Sequence, residues 1–192
     1  MKEFFDEFGK RMVMAVRRDF KGLSKIIGNE RIYAVCLVTD SDAMTVFLAI
    51  NTYEKMEEKY QKYTQKNWSE NLNDEILNDE ILYKTVKWVP AEWGYDNSDL
   101  EQSEIVIVSD YLAEKRESIE DSRFQEFEEK FYEAMAETLL TLHNEGLFCH
   151  EKDDITVFIS ISDDERIEMV ENYSAGVLNS ENVRSKFMKR WD

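Results

Sequence analysis

Arg31-Ile-Tyr-Ala-Val-Cys-Leu-Val-Thr39, then Asp40-Ser41-Asp42, then Ala43-Met-Thr-Val-Phe-Leu-Ala-Ile50, is the stretch on which the fold turns. Both apolar runs are rich in β-branched and aromatic residues, and the polar residues between them suit a turn, so the segment predicts a β-hairpin. A strand with one wet face alternates apolar and polar residues. These arms are almost continuously apolar, which predicts a sheet covered, at least in part, on both faces.

The covering layers are sought on either side of the hairpin. Upstream, Phe4, Phe5, Phe8, Met12, Val16 and Phe20 recur at helical spacing among charged residues and predict a first helix ending near Gly22 or Gly28. Downstream, Asn51-Thr52-Tyr53-Glu54 reads as a capping box with Asn51 as the cap. The helix it opens is expected to run to about Lys66, with Tyr53, Met56, Tyr60 and Tyr63 as its apolar stripe. A tandem pentapeptide, Asn-Asp-Glu-Ile-Leu at 73–77 and again at 78–82, is too short to define a repeat architecture. Tyr83 to Val89 reads as extended, and Pro90 suits the start of a helix or turn. Leu100 to about Glu117 suits a helix, with a short strand at Ile105–Val108 as the alternative. Phe124, Phe127, Phe131, Met135, Leu139 and Leu142 predict a helix closed by Gly146. Ile155 to Ile161 reads as a strand, Asp163-Asp164 as caps of a following helix, and a last short helix carries Phe187, Met188 and Trp191. One proline and six glycines in 192 residues leave no candidate linker. The expectation is a single α+β domain over residues 1–192, a central antiparallel sheet of three or four strands flanked by helices.

At this length folding hides roughly 70% of the surface of the unfolded chain, so a core forms without staples. Two cysteines, Cys36 and Cys149, are too few for a disulfide framework and point to a reducing compartment. The amino terminus carries acids where a signal peptide needs a basic start, and the longest apolar runs are strand-sized; the expected location is cytoplasmic, away from membranes. The net charge is −17. Residues 1–31 sum to +3 and residues 181–192 to +2, so the stretch between them carries −22. A field of that sign repels nucleic-acid phosphates and attracts a basic protein partner, although solubility alone also accounts for it.

No nucleophile elbow, phosphate-cradling glycine loop or dinucleotide fingerprint occurs. His143, Cys149, His150, Glu151 and Asp153 lie close in sequence but lack the paired spacings of a structural metal site. Asp40 with Asp42, and Asp153 with Asp154, suit turns and caps better than acid–base pairs. No catalytic residue, cofactor or metal ligand is expected. The most unusual segment is Trp88-Val89-Pro90-Ala91-Glu92-Trp93-Gly94-Tyr95, two tryptophans around a proline with an embedded carboxylate. It reads either as a structural corner with packed indoles or as a binding site, which needs at least one indole exposed.

The chain resembles the bacterial domain-of-unknown-function family 4303 over most of its length. The resemblance rests on Asn51-Thr52 with Glu54, on Trp88-x-Pro90-x-Glu92-Trp93, on Ile161-Ser162-Asp163, and on Ser174 followed by Leu178-Asn179. The family places a small hydroxyl residue before the proline where this chain has Val89, which removes a capping oxygen. Members look like small α+β proteins often encoded near polymorphic toxins. That implies a non-enzymatic immunity protein, whose acidic middle covers a basic cleft through Glu92, Asp163 and Asp164, with Trp93 as anchor. The alternative is an enzyme or small-ligand binder with a pocket behind Trp88 and Trp93 and Glu92 as its polar group.

Overall fold

The computed structural model describes residues 1–65, 79–148 and 155–190. The hairpin forms as expected: β1 (Ile32–Asp40) pairs antiparallel with β2 (Val46–Thr52). Its turn is held by the Asp40 carboxylate, which accepts from the backbone N–H of Asp42, Met44 and Thr45 at 2.7–3.0 Å. A short β3 (Tyr95–Asp96) joins β2 antiparallel. β4 (Thr156–Ser162) joins the other side of β1, but parallel to it, giving the order β3-β2-β1-β4. The sheet is therefore mixed. Its parallel pair arises because a long helical excursion separates β1 from β4 and returns the chain to the same end of the sheet.

Nearly every residue of β1, β2 and β4 is buried, because helices cover both faces. On one face lie α1 (Lys2–Ile27), α4 (Glu104–Glu117) and α5 (Phe124–Asn144), whose Phe8, Met12, Leu112, Phe127 and Phe131 pack on Val35, Leu37, Leu48 and Ile159. On the other lie α2 (Tyr53–Gln65), α3 (Asp79–Trp88) and α7 (Glu181–Met188), over Tyr33, Cys36, Ala49 and Phe158. α6 (Ile167–Leu178) runs beside β4. These helices and the mixed four-stranded sheet make an α+β fold. Among the described residues no helix is long and apolar enough to cross a membrane.

Both sheet edges are closed by side chains. At β4, the Val157 N–H donates to Asn179 Oδ1 at 2.8 Å, and Asn179 Nδ2 donates to the Val157 carbonyl at 2.6 Å. The Ile159 N–H donates to Ser174 Oγ at 3.0 Å. At the β2 edge the Val46 and Leu48 N–H groups donate to Ser109 Oγ and Asn97 Oδ1, at 3.0 and 2.9 Å. An open edge would template pairing with another chain; here helices and polar side chains replace the missing strand.

Several local expectations are corrected. Tyr83–Val89 is not extended: α3 runs through Trp88, burying Val86 and Trp88 while Lys84 pairs with Glu80 one turn back. The cap of α2 is Thr52, whose Oγ1 accepts from the Lys55 N–H at 3.1 Å, because Asn51 is drawn inward. α2 is helical through Gln65, the last described residue before Lys66. α1 passes through Gly22 and stops at Gly28, which takes φ 66°. Residues 105–108 are helical within α4; Asp19 of α1, itself buried, accepts from the Ser103 hydroxyl and the Glu104 and Ile105 N–H groups and so holds the start of that helix. Asp163 does not cap α6, while the Asp164 carboxylate accepts from the backbone N–H of Arg166, the residue before the helix, at 2.8 Å. The first copy of the pentapeptide, Cys149, His150, Glu151, Asp153, Asp154 and Trp191 lie outside the described residues. Among the described residues no three His, Cys, Asp or Glu side chains group in a way that suits a metal.

Candidate functional site

The Trp88–Trp93 segment ends α3 and turns through a 3-10 helix at Pro90–Glu92 into β3. Val89 occupies the cap position and supplies no side-chain bond there. Both indoles point inward, Trp88 8% and Trp93 9% exposed. Trp88 meets Phe187 and Tyr33 edge-on at 5.2 and 5.9 Å, and Trp93 meets Phe158 edge-on at 5.7 Å. Such edge-to-face packing is the preferred geometry of buried aromatic pairs.

Asn51 fixes this corner. Its amide N–H groups donate to Tyr33 Oη at 2.9 Å and the Val86 carbonyl at 3.4 Å, while its Oδ1 accepts from the Gly94 N–H at 3.2 Å. The Tyr33 hydroxyl in turn donates to the Lys87 carbonyl at 2.7 Å, which also accepts from the Trp93 indole at 3.1 Å. One buried side chain thus ties β1, β2, the end of α3 and the turn together. Gly94 is required where the chain passes α2: a Cβ there would stand 2.6 Å from Lys55 Cβ and Cγ. Burial pushes the Tyr33 phenol well above its ordinary range, so it acts as a neutral donor.

Glu92 faces outward, towards α2. Its carboxylate meets Lys59 Nζ at 2.8 Å and the Tyr63 hydroxyl at 2.9 Å. Partial burial pushes its pKa up, but the bonds from Lys59 and Tyr63 and the lysine's charge outweigh that and hold it below the usual glutamate range. It is an ionised strut between α2 and the corner.

Asp163 and Asp164 stand at the opposite end of β4, where Ser162 pairs with Asp40. Thr156 to Ser162 is six strand steps, about 20 Å, so the four residues singled out in the sequence form two separate groups. Asp163 takes the left-handed conformation, φ 55°, which aspartate tolerates better than most residues. Asp164 is committed inward: Arg166 Nε and Nη2 donate to it at 2.9 and 2.5 Å, and the same guanidinium donates to the buried Glu128 at 2.5 and 2.8 Å. Those bonds from Arg166 hold the Asp164 carboxyl below its ordinary pKa. Asp163 and Glu165 remain exposed.

Directly beyond this turn lies a surface the sequence reading missed. Along α6, Val170, Ser174 and Leu178 face the fold, while Met169, Tyr173 and Val177, each one residue earlier, face out. Met169 is 63% and Tyr173 62% exposed, and Val177 48%. Exposed Asp163, Glu165 and Glu168 rim its amino-terminal end. The detectable signal was a second apolar stripe at spacing four on a helix whose first stripe already served the core. A contiguous apolar strip with an acidic rim is suited to a protein partner carrying apolar and basic groups.

No curated protein and no solved structure matches this chain. The sequence profile described as Domain of unknown function (DUF4303) matches residues 12–180. The resemblance-bearing residues now have structural roles: Asn51 and the two tryptophans build the corner, and Ser174 and Asn179 close the β4 edge. On a match over that span, the chain belongs to the DUF4303 family.

Proposed function

We propose that this chain is a non-enzymatic interaction protein of the bacterial cytoplasm, an immunity protein that neutralises a toxin by covering a basic surface of it. The observation that carries the reading is the α6 ridge, with Met169, Tyr173 and Val177 exposed beside Asp163, Glu165 and Glu168. Aromatic and methionine side chains in the middle of a patch supply most interface energy, and acids at the rim speed capture of a basic partner. The packed corner supports this reading over a pocket-based enzyme, because Trp88 and Trp93 are buried against Phe187 and Phe158 and Glu92 is engaged by Lys59 and Tyr63. The contribution expected of Asp164 passes to Asp163, Glu165 and Glu168, since Arg166 neutralises it.

The test is calorimetric titration of the chain against purified basic toxin domains at low and moderate salt. Binding that weakens with salt and is lost in Tyr173→Ala supports the reading. Absence of binding to every such domain, or binding indifferent to Tyr173→Ala, overturns it.

A further inference from the structure

A second apolar patch lies on α1 and α4, and its α1 wall carries the opposite charge. α1 and α4 leave a groove of about 600 Å³ between them, lined by Glu7, Arg11, Met14, Arg18, Glu104 and Ile107 among others. Met14 and Ile107 are each 60% exposed, and Val106 beside them is 50% exposed. Lys10, Arg11, Arg18, Lys21 and Lys25 are exposed along the same helix, with Arg17 half-buried, and the only acid from residue 10 to residue 27 is the buried Asp19. In a chain of net charge −17 this stretch of α1 carries a local excess of positive charge, faced across the groove by Glu104 of α4.

We infer that the groove receives the α6 ridge of a second copy of this chain. Both halves of the contact are then defined. A ridge of Met169, Tyr173 and Val177, spaced four residues apart, is the shape that fits between two helices. The acids at its end, Asp163, Glu165 and Glu168, meet the arginines at the groove. Arg11, Arg17 and Arg18 now pair with Glu7, Glu145 and Glu104 on their own chain. Such exposed pairs are weak and exchange readily for an incoming carboxylate. Ridge and groove are different surfaces, so the contact is head-to-tail: copies add into a ring or an open chain rather than closing as a two-fold dimer. A second copy uses the same ridge as the toxin reading, so a second copy and a toxin would compete for it, and groove variants test the self-contact without touching the ridge.

The experiment is sedimentation velocity of the full chain against concentration, at low and high salt, with two variants at exposed positions. Met14→Glu places an acid in the groove, and Tyr173→Arg places a base on the ridge. Circular dichroism of each variant alone checks that the fold is retained. For the wild type, the mass is expected to rise above the 22.8 kDa of one chain with concentration and to fall back as salt is added. Each variant alone is expected to associate about tenfold more weakly or less still. Mixed, the two variants are expected to form a one-to-one pair and nothing larger, since each keeps the face the other has lost. A wild type that stays a single chain at every concentration overturns the inference. So does a mixture that stays dissociated while the wild type associates, because a two-fold or unrelated contact is then responsible.

Discussion

The Trp88–Trp93 corner and the α6 ridge are alike in content, large aromatic and apolar side chains with carboxylates nearby, and opposite in use. At the corner, Trp88 and Trp93 are buried, the bonds of Asn51, Tyr33 and the Trp93 indole run inward, and Glu92 braces α2. On the ridge, Met169 and Tyr173 stand in water with Asp163, Glu165 and Glu168 beside them. The unusual composition of the corner reflects the geometry needed to turn the chain tightly under a covered sheet. The ridge is built from ordinary residues, and only its exposure sets it apart. Rarity in sequence marked packing; exposure marked the surface that can meet a partner.

If that contrast holds, the largest effect belongs to the corner. Trp93→Ala removes an indole packed on Phe158 and bonded to the Lys87 carbonyl, and is expected to lower unfolding stability by about 3–5 kcal/mol. Urea denaturation followed by circular dichroism measures it; a loss below about 1 kcal/mol would mean the corner is not structural. Next comes the edge closed by α6. Asn179→Ala leaves the Val157 N–H and carbonyl without the partners they have at 2.8 and 2.6 Å. The expected loss is about 2 kcal/mol. Hydrogen exchange at Val157 should quicken more than at Leu37 in the central strand, and equal change at both sites would show that the edge is not a local closure.

The strands were the most legible elements, because Ile32–Val38 and Val46–Ile50 are apolar on both faces and only a doubly covered sheet suits them. That β4 lies parallel to β1 was not legible, since orientation follows from how the intervening helices pack and not from the strand's own residues. Tyr83–Val89 was misread because a run that short fits either period, and its helix is fixed from outside by the burial of Val86 and Trp88. The cap of α2 moved from Asn51 to Thr52 because three distant polar groups, on Tyr33, Val86 and Gly94, engage the Asn51 amide. The corner was legible as a packed alternative, whereas Asp163 and Asp164 read as helix caps and only Asp164 reaches a backbone N–H before α6. The ridge was invisible because periodicity finds the stripe that faces the core; Tyr173 belongs to the other stripe.

A smaller effect separates the strut from the indoles. Glu92 is held below its ordinary pKa in the fold, so the folded state releases this proton more readily than the unfolded chain does. Its contribution to stability is therefore present above the usual glutamate range and is lost as pH falls through the folded value. Because the side chain is 31% exposed, screening limits that contribution to about 0.5 kcal/mol. Glu92→Gln should lose that much at neutral pH and show a flatter decline of the urea midpoint between neutral and acid pH. A decline as steep as in the wild type would assign the acid sensitivity to other carboxylates.

The smallest effect on stability is the one that decides the contrast. Tyr173 is 62% exposed, so Tyr173→Ala should leave unfolding stability within about 0.5 kcal/mol of the wild type. Ser174, its neighbour, bonds the Ile159 backbone at 3.0 Å, so Ser174→Ala one position along the same helix should be destabilising by about 1–2 kcal/mol. Two adjacent residues then report two different jobs of one helix, closing a sheet edge with one face and offering a contact with the other. Were Tyr173→Ala as destabilising as Ser174→Ala, the outer stripe would be part of the fold's own packing. The ridge would then lose its standing as a docking surface, because a residue needed to hold the chain together is not one the chain keeps exposed for a partner.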